Sequence, residues 1–110
     1  MRVAVVGGGI IGLAVAWRCR QRGLDVTVYD PAPGGGAATV AAGMLAPTGE
    51  ARAGEEALQA LMLESVGRWP GFAADLATAS GLELGYDTRG TLLVALTDDD
   101  LREVQRLVDY

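Results

Sequence analysis

Residues 2–6, R-V-A-V-V, form a nearly continuous apolar run. A strand of a parallel sheet, covered on both faces, reads this way. Gly7 to Gly9 then turn the chain. From Ile10 to Arg22 the apolar residues Ile10, Leu13, Ala14 and Trp17 recur at helical spacing. Arg18, Arg20, Gln21 and Arg22 make the far end polar, which suits a helix C-terminus, and Gly23 is a natural stop. Val26 to Tyr29 predicts a second strand. A strand, a helix and a strand of this size predict a right-handed crossover joining parallel strands.

The pattern then changes. Asp30 to Pro47 holds Pro31, Pro33, Gly34, Gly35, Gly36, Gly43 and Pro47 among many alanines, with no usable period. This is a long loop of small residues, which lets backbone approach a ligand closely. Periodicity returns from Glu55 to Ser80, with Leu58, Leu61, Met62, Ser65, Val66 and Trp69 on one face. Pro70 is expected to break or kink this helix. Phe72, Leu76 and Ala79 would continue as a second helix, ended by Gly81. Trp69 and Phe72 read as helix core. Thr91 to Leu96, T-L-L-V-A-L, predicts a third strand after a turn at Asp87 to Gly90. Asp98 to Asp100 then open an amphipathic helix carrying Leu101, Val104, Leu107 and Val108. These three acids read as a helix cap and not as a metal site.

Composition narrows the chemistry. At 110 residues the chain is at most one small domain. No apolar run reaches the roughly 18 residues of a membrane span. Met1-Arg2 leads straight into a strand, so a leader is not expected and a cytoplasmic setting is. The net charge is −5 and the basic residues are scattered, which disfavours nucleic acid as a partner. One cysteine, Cys19, excludes an internal disulfide and reads as a small residue beside the helix core. With no histidine, a His-dependent triad or a His-ligated zinc is excluded.

The candidate chemistry lies between Val3 and Asp30. Gly7, Gly9 and Gly12 form G-x-G-x-x-G after a strand and at the head of a helix, with Asp30 about 20 residues on. Gly7 permits the turn, Gly9 lets a pyrophosphate reach the backbone, and Gly12 lets the helix lie close to the strand. Free N–H groups at the helix N-terminus suit a diphosphate. Asp30 would accept from the adenosine ribose hydroxyls, and its charge makes NADP the poorest fit. Context turns a weak motif into a strong one, but this unit alone leaves FAD and NAD both open.

The following loop, P-A-P-G-G-G-A-A-T-V-A-A-G-M-L-A-P, resembles the D-amino-acid-oxidase-like flavoproteins, and within them the glycine oxidases of thiamine biosynthesis. The specific segment is A-A-G-M-L-A-P, Ala41 to Pro47. R-W-P-x-F at Arg68 to Phe72 and G-T-L-L-V-A at Gly90 to Ala95 are also similar, and the likeness extends over essentially the whole chain. It implies FAD as cofactor. It implies that Ile10 and Ile11 line the pyrophosphate turn and that Asp30 and Pro31 lie at the ribose. Ala37 and Ala38 would lie near the diphosphate, and Ala42, Gly43 and Met44 beside the flavin, with Glu50 a candidate acid. Without the resemblance, Met44 would read as loop packing. Two positions depart from the family. Ala38 stands where Ser or Thr is frequent, which moves a hydroxyl contact to Thr39 or to backbone. Asp30 stands where Glu is frequent.

The implied reaction is oxidation of a small amino acid, glycine first and sarcosine next. Hydride would pass to the flavin, and O2 would accept the electrons and become hydrogen peroxide. The imine would hydrolyse or feed thiazole formation. In the family an arginine far downstream, beyond Tyr110, binds the substrate carboxylate. None of the nine basic residues here, all arginines, matches it, so no catalytic residue is assigned. The fold class expected is α/β: a βαβ unit of a Rossmann-like FAD-binding domain, then helices and a strand beginning a substrate domain, incomplete as it stands. Residues 1–50 would be the first part of the FAD-binding domain, and residues 51–110 connecting helices and the start of the substrate domain. Exposed apolar faces predict association between copies, or partial disorder, when these residues stand alone. A D-amino-acid or sarcosine dehydrogenase and a non-catalytic nucleotide-binding module remain alternatives.

Overall fold

The computed structural model describes residues 1–45, 47–49 and 51–109. Its elements are β1 (Arg2–Val6), α1 (Ile10–Gln21), β2 (Asp25–Tyr29), a 3-10 turn (Gly36–Thr39), α2 (Glu56–Ser80) and α3 (Asp98–Asp109). The class is mixed α/β with an N-terminal strand–helix–strand unit, as the sequence predicts. The chain divides into two compact units, Met1–Gly43 and the part from Met44 onward.

In the first unit β1 and β2 pair in parallel, with Arg2 opposite Asp25 and Val6 opposite Tyr29. Parallel neighbours need a crossover, and α1 supplies it. Its packing face differs in part from the expected one: Ala14 and Trp17 are half-buried, as expected. Ile10 and Leu13 are exposed, whereas Ala16 is the buried residue of the helix. One turn earlier, Gly12 sits over Val5 and the Gly7 carbonyl. Small residues therefore make the contact face, because the turn holds the helix too close for branched side chains. The end is as predicted: Arg22 caps the helix and Gly23 takes a left-handed conformation, φ 76°. Cys19 is half-buried and free.

In the second unit α2 runs unbroken through 25 residues with Pro70 inside it. The expected division into two helices is thus corrected. Pro70 has no N–H for the Val66 carbonyl, but the residues on either side keep helical bonding, and a single lost bond does not end a helix of this length. The helix stops where predicted, at Gly81, φ 69°, whose N–H donates to the Ala77 carbonyl at 2.8 Å. Trp69 and Phe72 pack edge to face, centroids 5.2 Å apart, and Tyr86 stacks on Trp69 at 6.1 Å. Both rings are half-buried beside buried Ala73.

The predicted strand at Thr91 to Leu96 is not formed. Those residues have no regular secondary structure, and β1 and β2 are the only strands among the described residues. A strand exists by pairing, and this apolar run has no neighbour to pair with. α3 forms as predicted. Its N-cap is Thr97 rather than the acids after it: the Thr97 hydroxyl accepts from the Asp100 N–H at 3.2 Å. In return the Asp100 carboxylate accepts from the N–H groups of Thr97, 2.9 Å, and Leu96, 3.1 Å. This is a reciprocal capping box. Among the described residues, no helix is long and apolar enough to cross a membrane.

Candidate cofactor site

The site is built where β1 hands the chain to α1. Gly7 leaves the strand at φ 103°, a conformation that side chains rarely adopt, and its N–H extends the ladder to the Tyr29 carbonyl at 2.9 Å. A Cβ on Gly12 would lie 1.9 Å from the Gly7 carbonyl oxygen, so only glycine lets α1 start this close to the strand. Beyond Gly9 there is open space in the direction a side chain would take.

Gly9 is the N-cap of α1, and no side chain caps the helix. Its first turn holds no acid. The first intrahelical bond is Leu13 N–H to the Gly9 carbonyl, 2.9 Å. The preceding N–H groups, of Ile10, Ile11 and Gly12, have no acceptor in the helix and point out of its positive end. Ile10 and Ile11 are exposed beside them. The arrangement offers donors, positive potential and room for an anion, with no carboxylate competing for the N–H groups.

Asp30, half-buried at the end of β2, receives two backbone bonds. Its Oδ2 accepts from the Gly8 N–H and its Oδ1 from the Ala32 N–H, both at 2.6 Å. These donors, Gly8 first, hold its carboxyl below the usual carboxylate range, so it is charged at neutral pH. A carboxylate oxygen has room for a second donor. Asp30 can therefore still accept from ribose hydroxyls, and its charge repels a 2′-phosphate. The open helix terminus, the bare Gly9 backbone and the charged Asp30 together fit the ADP part of FAD.

The residues singled out from sequence fall into three places. Gly7, Gly9, Ile10, Ile11, Gly12, Asp30 and Pro31 lie at the turn or at the end of β2. Ala37, Ala38 and Thr39 form the 3-10 turn with Gly36. There the Thr39 hydroxyl donates to the Gly36 carbonyl at 2.8 Å, so its one hydrogen is engaged within the loop. Ala42 and Gly43 close the first unit. Met44 belongs to the second, where it borders a groove of about 300 Å³ with Leu45, Pro47, Leu61, Met62, Ser65, Val66 and Trp69. Glu50 and, within A-A-G-M-L-A-P, Ala46 lie outside the described residues.

One residue of the site escapes the motif. Gly8 occupies a position that G-x-G-x-x-G leaves open, yet it is buried, with Asp30 and Pro33 against it. Its carbonyl accepts from the Gly34 N–H at 2.8 Å. The signal for it is the unbroken run Gly7-Gly8-Gly9.

Comparison with known proteins agrees with this geometry. The family model described as FAD dependent oxidoreductase matches residues 2–110. The chain is 31% identical over 105 residues to a glycine oxidase of Geobacillus kaustophilus, covering 94% of this chain and 28% of that protein. It is 39% identical over 90 residues to a bifunctional protein ThiO/ThiG of Trichormus variabilis, covering 82% of this chain and 14% of the relative. It is 51% identical over 45 residues to a D-proline dehydrogenase of Pyrobaculum islandicum, covering 41% of this chain and 12% of that one. The chain thus spans less than a third of the length of these relatives. The match across residues 2–110, joined to a glycine turn built to receive ADP, makes the chain a member of the FAD-dependent oxidoreductase family, whose cofactor is FAD.

Proposed function

We propose that this chain provides the ADP-holding part of an FAD-dependent amino-acid oxidase. The enzyme acts on glycine or another small amino acid, yields the imine and hydrogen peroxide, and serves thiazole formation in thiamine synthesis. The observation that carries the reading is the uncapped α1 terminus behind Gly9 with charged Asp30 at the end of β2. The glycine-oxidase name of one similar protein and the thiamine-biosynthesis oxidoreductase name of another, from Rhizobium etli, support the substrate class.

In this reading the N–H groups of Ile10, Ile11 and Gly12 hold the pyrophosphate, and Asp30 with Pro31 meets the ribose. Ala37, Ala38 and Thr39 close over the diphosphate, and Ala42, Gly43 and Met44 run beside the flavin. Bound FAD supplies the hydride acceptor that O2 reoxidises; the protein contributes position and electrostatics. Residues 1–50 are the first part of the FAD-binding domain, and residues 51–110 are connecting helices and the start of a substrate domain. The 110 residues alone bind FAD weakly and release no peroxide.

The test is titration of the chain with FAD, NAD and NADP, followed by peroxide assay with glycine, sarcosine, D-alanine and D-proline. Binding of FAD in preference to both nicotinamide nucleotides supports the reading. Equal or tighter binding of NAD overturns the FAD assignment, and stoichiometric flavin with peroxide release from glycine overturns the inactivity of the 110 residues. A second reading, a D-amino-acid dehydrogenase with another electron acceptor, is favoured by the similarity to D-proline dehydrogenase. It predicts that the chain, extended by the downstream region, oxidises D-proline with little peroxide under air.

A further inference from the structure

Asp30 sits at the centre of a closed set of backbone bonds that needs no ligand. Its two oxygens take the N–H groups of Gly8, from the glycine turn, and Ala32, from the loop after β2. The Gly34 N–H returns from that loop to the Gly8 carbonyl. Both backbone groups of Gly8 are thus bonded to the segment 30–34. The fit is steric as well: a Cβ on Gly8 would lie 3.0 Å from the Asp30 Cβ and 3.1 Å from the Pro33 Cα. Gly8 lies between Gly7, which makes the turn, and Gly9, which caps α1. Holding Gly8 therefore holds the direction in which the first N–H groups of α1 point.

We propose that Asp30 is a positioning residue whose carboxylate clasps Gly8 and Ala32, setting the glycine turn and the 31–34 loop in their cofactor-receiving arrangement before FAD arrives. The inference rests on the ADP-holding role above, and it adds a function that a ribose contact does not require. Preorganisation of this kind removes ordering cost from the binding step. The short side chain of Asp suits the clasp, since it follows directly on β2 and reaches N–H groups on both sides at 2.6 Å.

Two variants separate clasp from ligand contact. Asp30→Asn keeps one acceptor oxygen and places an NH2 against the other N–H donor. Gly8→Val keeps the carboxylate group but crowds both Asp30 and the Pro33 loop away from the turn. Amide hydrogen exchange of the whole 110-residue chain without ligand is the first readout, and FAD titration the second. In the unsubstituted chain the Gly8, Ala32 and Gly34 amides are slow to exchange. Asp30→Asn quickens whichever of the Gly8 and Ala32 amides faces its NH2, and Gly34 with it, while the Gly7 amide, bonded to Tyr29, stays slow, which shows that the strands remain paired. Both variants weaken FAD binding by about tenfold, in the range of one lost charge-assisted hydrogen bond. Fast exchange at Gly8 in the unsubstituted chain overturns the clasp. So does an Asp30→Asn chain that loses FAD with Gly8, Ala32 and Gly34 all still slow, beside a Gly8→Val chain that binds FAD normally. If the unsubstituted chain binds no FAD, the proposed function falls, while the exchange pattern of Asp30→Asn still upholds or overturns the clasp.

Discussion

In the first unit the loop after β2 is tied back across the chain: Gly34 to Gly8, Gly8 and Ala32 to Asp30. In the second, the stretch between α2 and α3 is bonded only locally, within itself or to the adjoining helix ends. Leu82 bonds to Ser80, Arg89 to Asp87, and Leu96 and Thr97 to Asp100. Tyr86 reaches α2 by stacking on Trp69. The first segment is held by directional bonds from backbone N–H groups to a carboxylate and a carbonyl in close approach, which demand particular residues at particular positions. The second is held by side-chain packing, which accepts many residues. A sequence therefore declares the first kind of structure more sharply than the second.

The sharpest way to break that contrast is at Gly12. A Cβ there would meet the Gly7 carbonyl oxygen at 1.9 Å and its carbon at 3.0 Å, both backbone atoms with nowhere to go. Gly12→Ala is expected to cost about 3 kcal/mol or more, as overpacking against rigid neighbours does, and to abolish FAD binding. Urea unfolding and FAD titration measure both. Unchanged stability would show that helix and strand separate freely, and the close-approach account would fail.

The second unit should respond in the opposite sense to relief of the backbone defect at Pro70. Pro70 leaves the Val66 carbonyl without its helical donor. Pro70→Ala restores the bond and is expected to stabilise the chain by up to about 3 kcal/mol, the interior penalty of proline relative to alanine. Thermal unfolding followed by circular dichroism checks it. Loss of stability instead would show that α2 is shaped around the proline.

These two positions also mark what a sequence declares in advance. The strand–helix–strand unit, the stops at Gly23 and Gly81 and the amphipathic α3 are legible, because turns and caps impose residue types. At Thr91–Leu96 the composition of a strand is legible but not its pairing, which depends on residues distant in sequence. Pro70 misleads, since one missing bond is small beside the remaining bonds of α2. At the site, Gly7, Gly9, Gly12 and Asp30 are legible as a set. Gly8 is not, since its constraint comes from Pro33 and Asp30 across the turn. Nor is the double backbone bonding of Asp30, which no motif encodes.

A smaller effect is expected at the cap of α3, which is held, as the loop of the first unit is, by backbone N–H groups on a carboxylate. Thr97→Ala removes the acceptor for the Asp100 N–H and should cost about 1 kcal/mol. The same cap predicts a pH dependence. The Thr97 hydroxyl, then the Leu96 and Thr97 N–H groups, hold the Asp100 carboxyl below its ordinary value of 3.8. A depressed acid stabilises the fold fully above its unfolded value, and that contribution is lost as pH falls through the lower folded value. Exchange of the Leu96 and Thr97 amides should therefore stay slow at neutral pH and quicken only in acid, relative to the intrinsic rate. Quickening near neutrality would mean that the carboxylate is not what holds them.

The smallest effect belongs to a charge pair within α2. Arg68 bonds to Glu64 one turn earlier, the favourable order for an acid and a base four residues apart. The side chains are 77% and 61% exposed, so water screens the attraction and both must give up rotamer freedom to meet. Arg68→Ala should change stability by less than about 0.5 kcal/mol, close to the resolution of an unfolding curve. Arg68 also opens the R-W-P-x-F segment, which gives the measurement a second use. If its charge matters only to α2, removing it leaves FAD affinity alone as well. A drop in affinity with stability unchanged would give the second unit a polar, position-specific role of the kind so far seen only around Gly8 and Asp30, and the contrast between the two units would no longer divide cofactor binding from support.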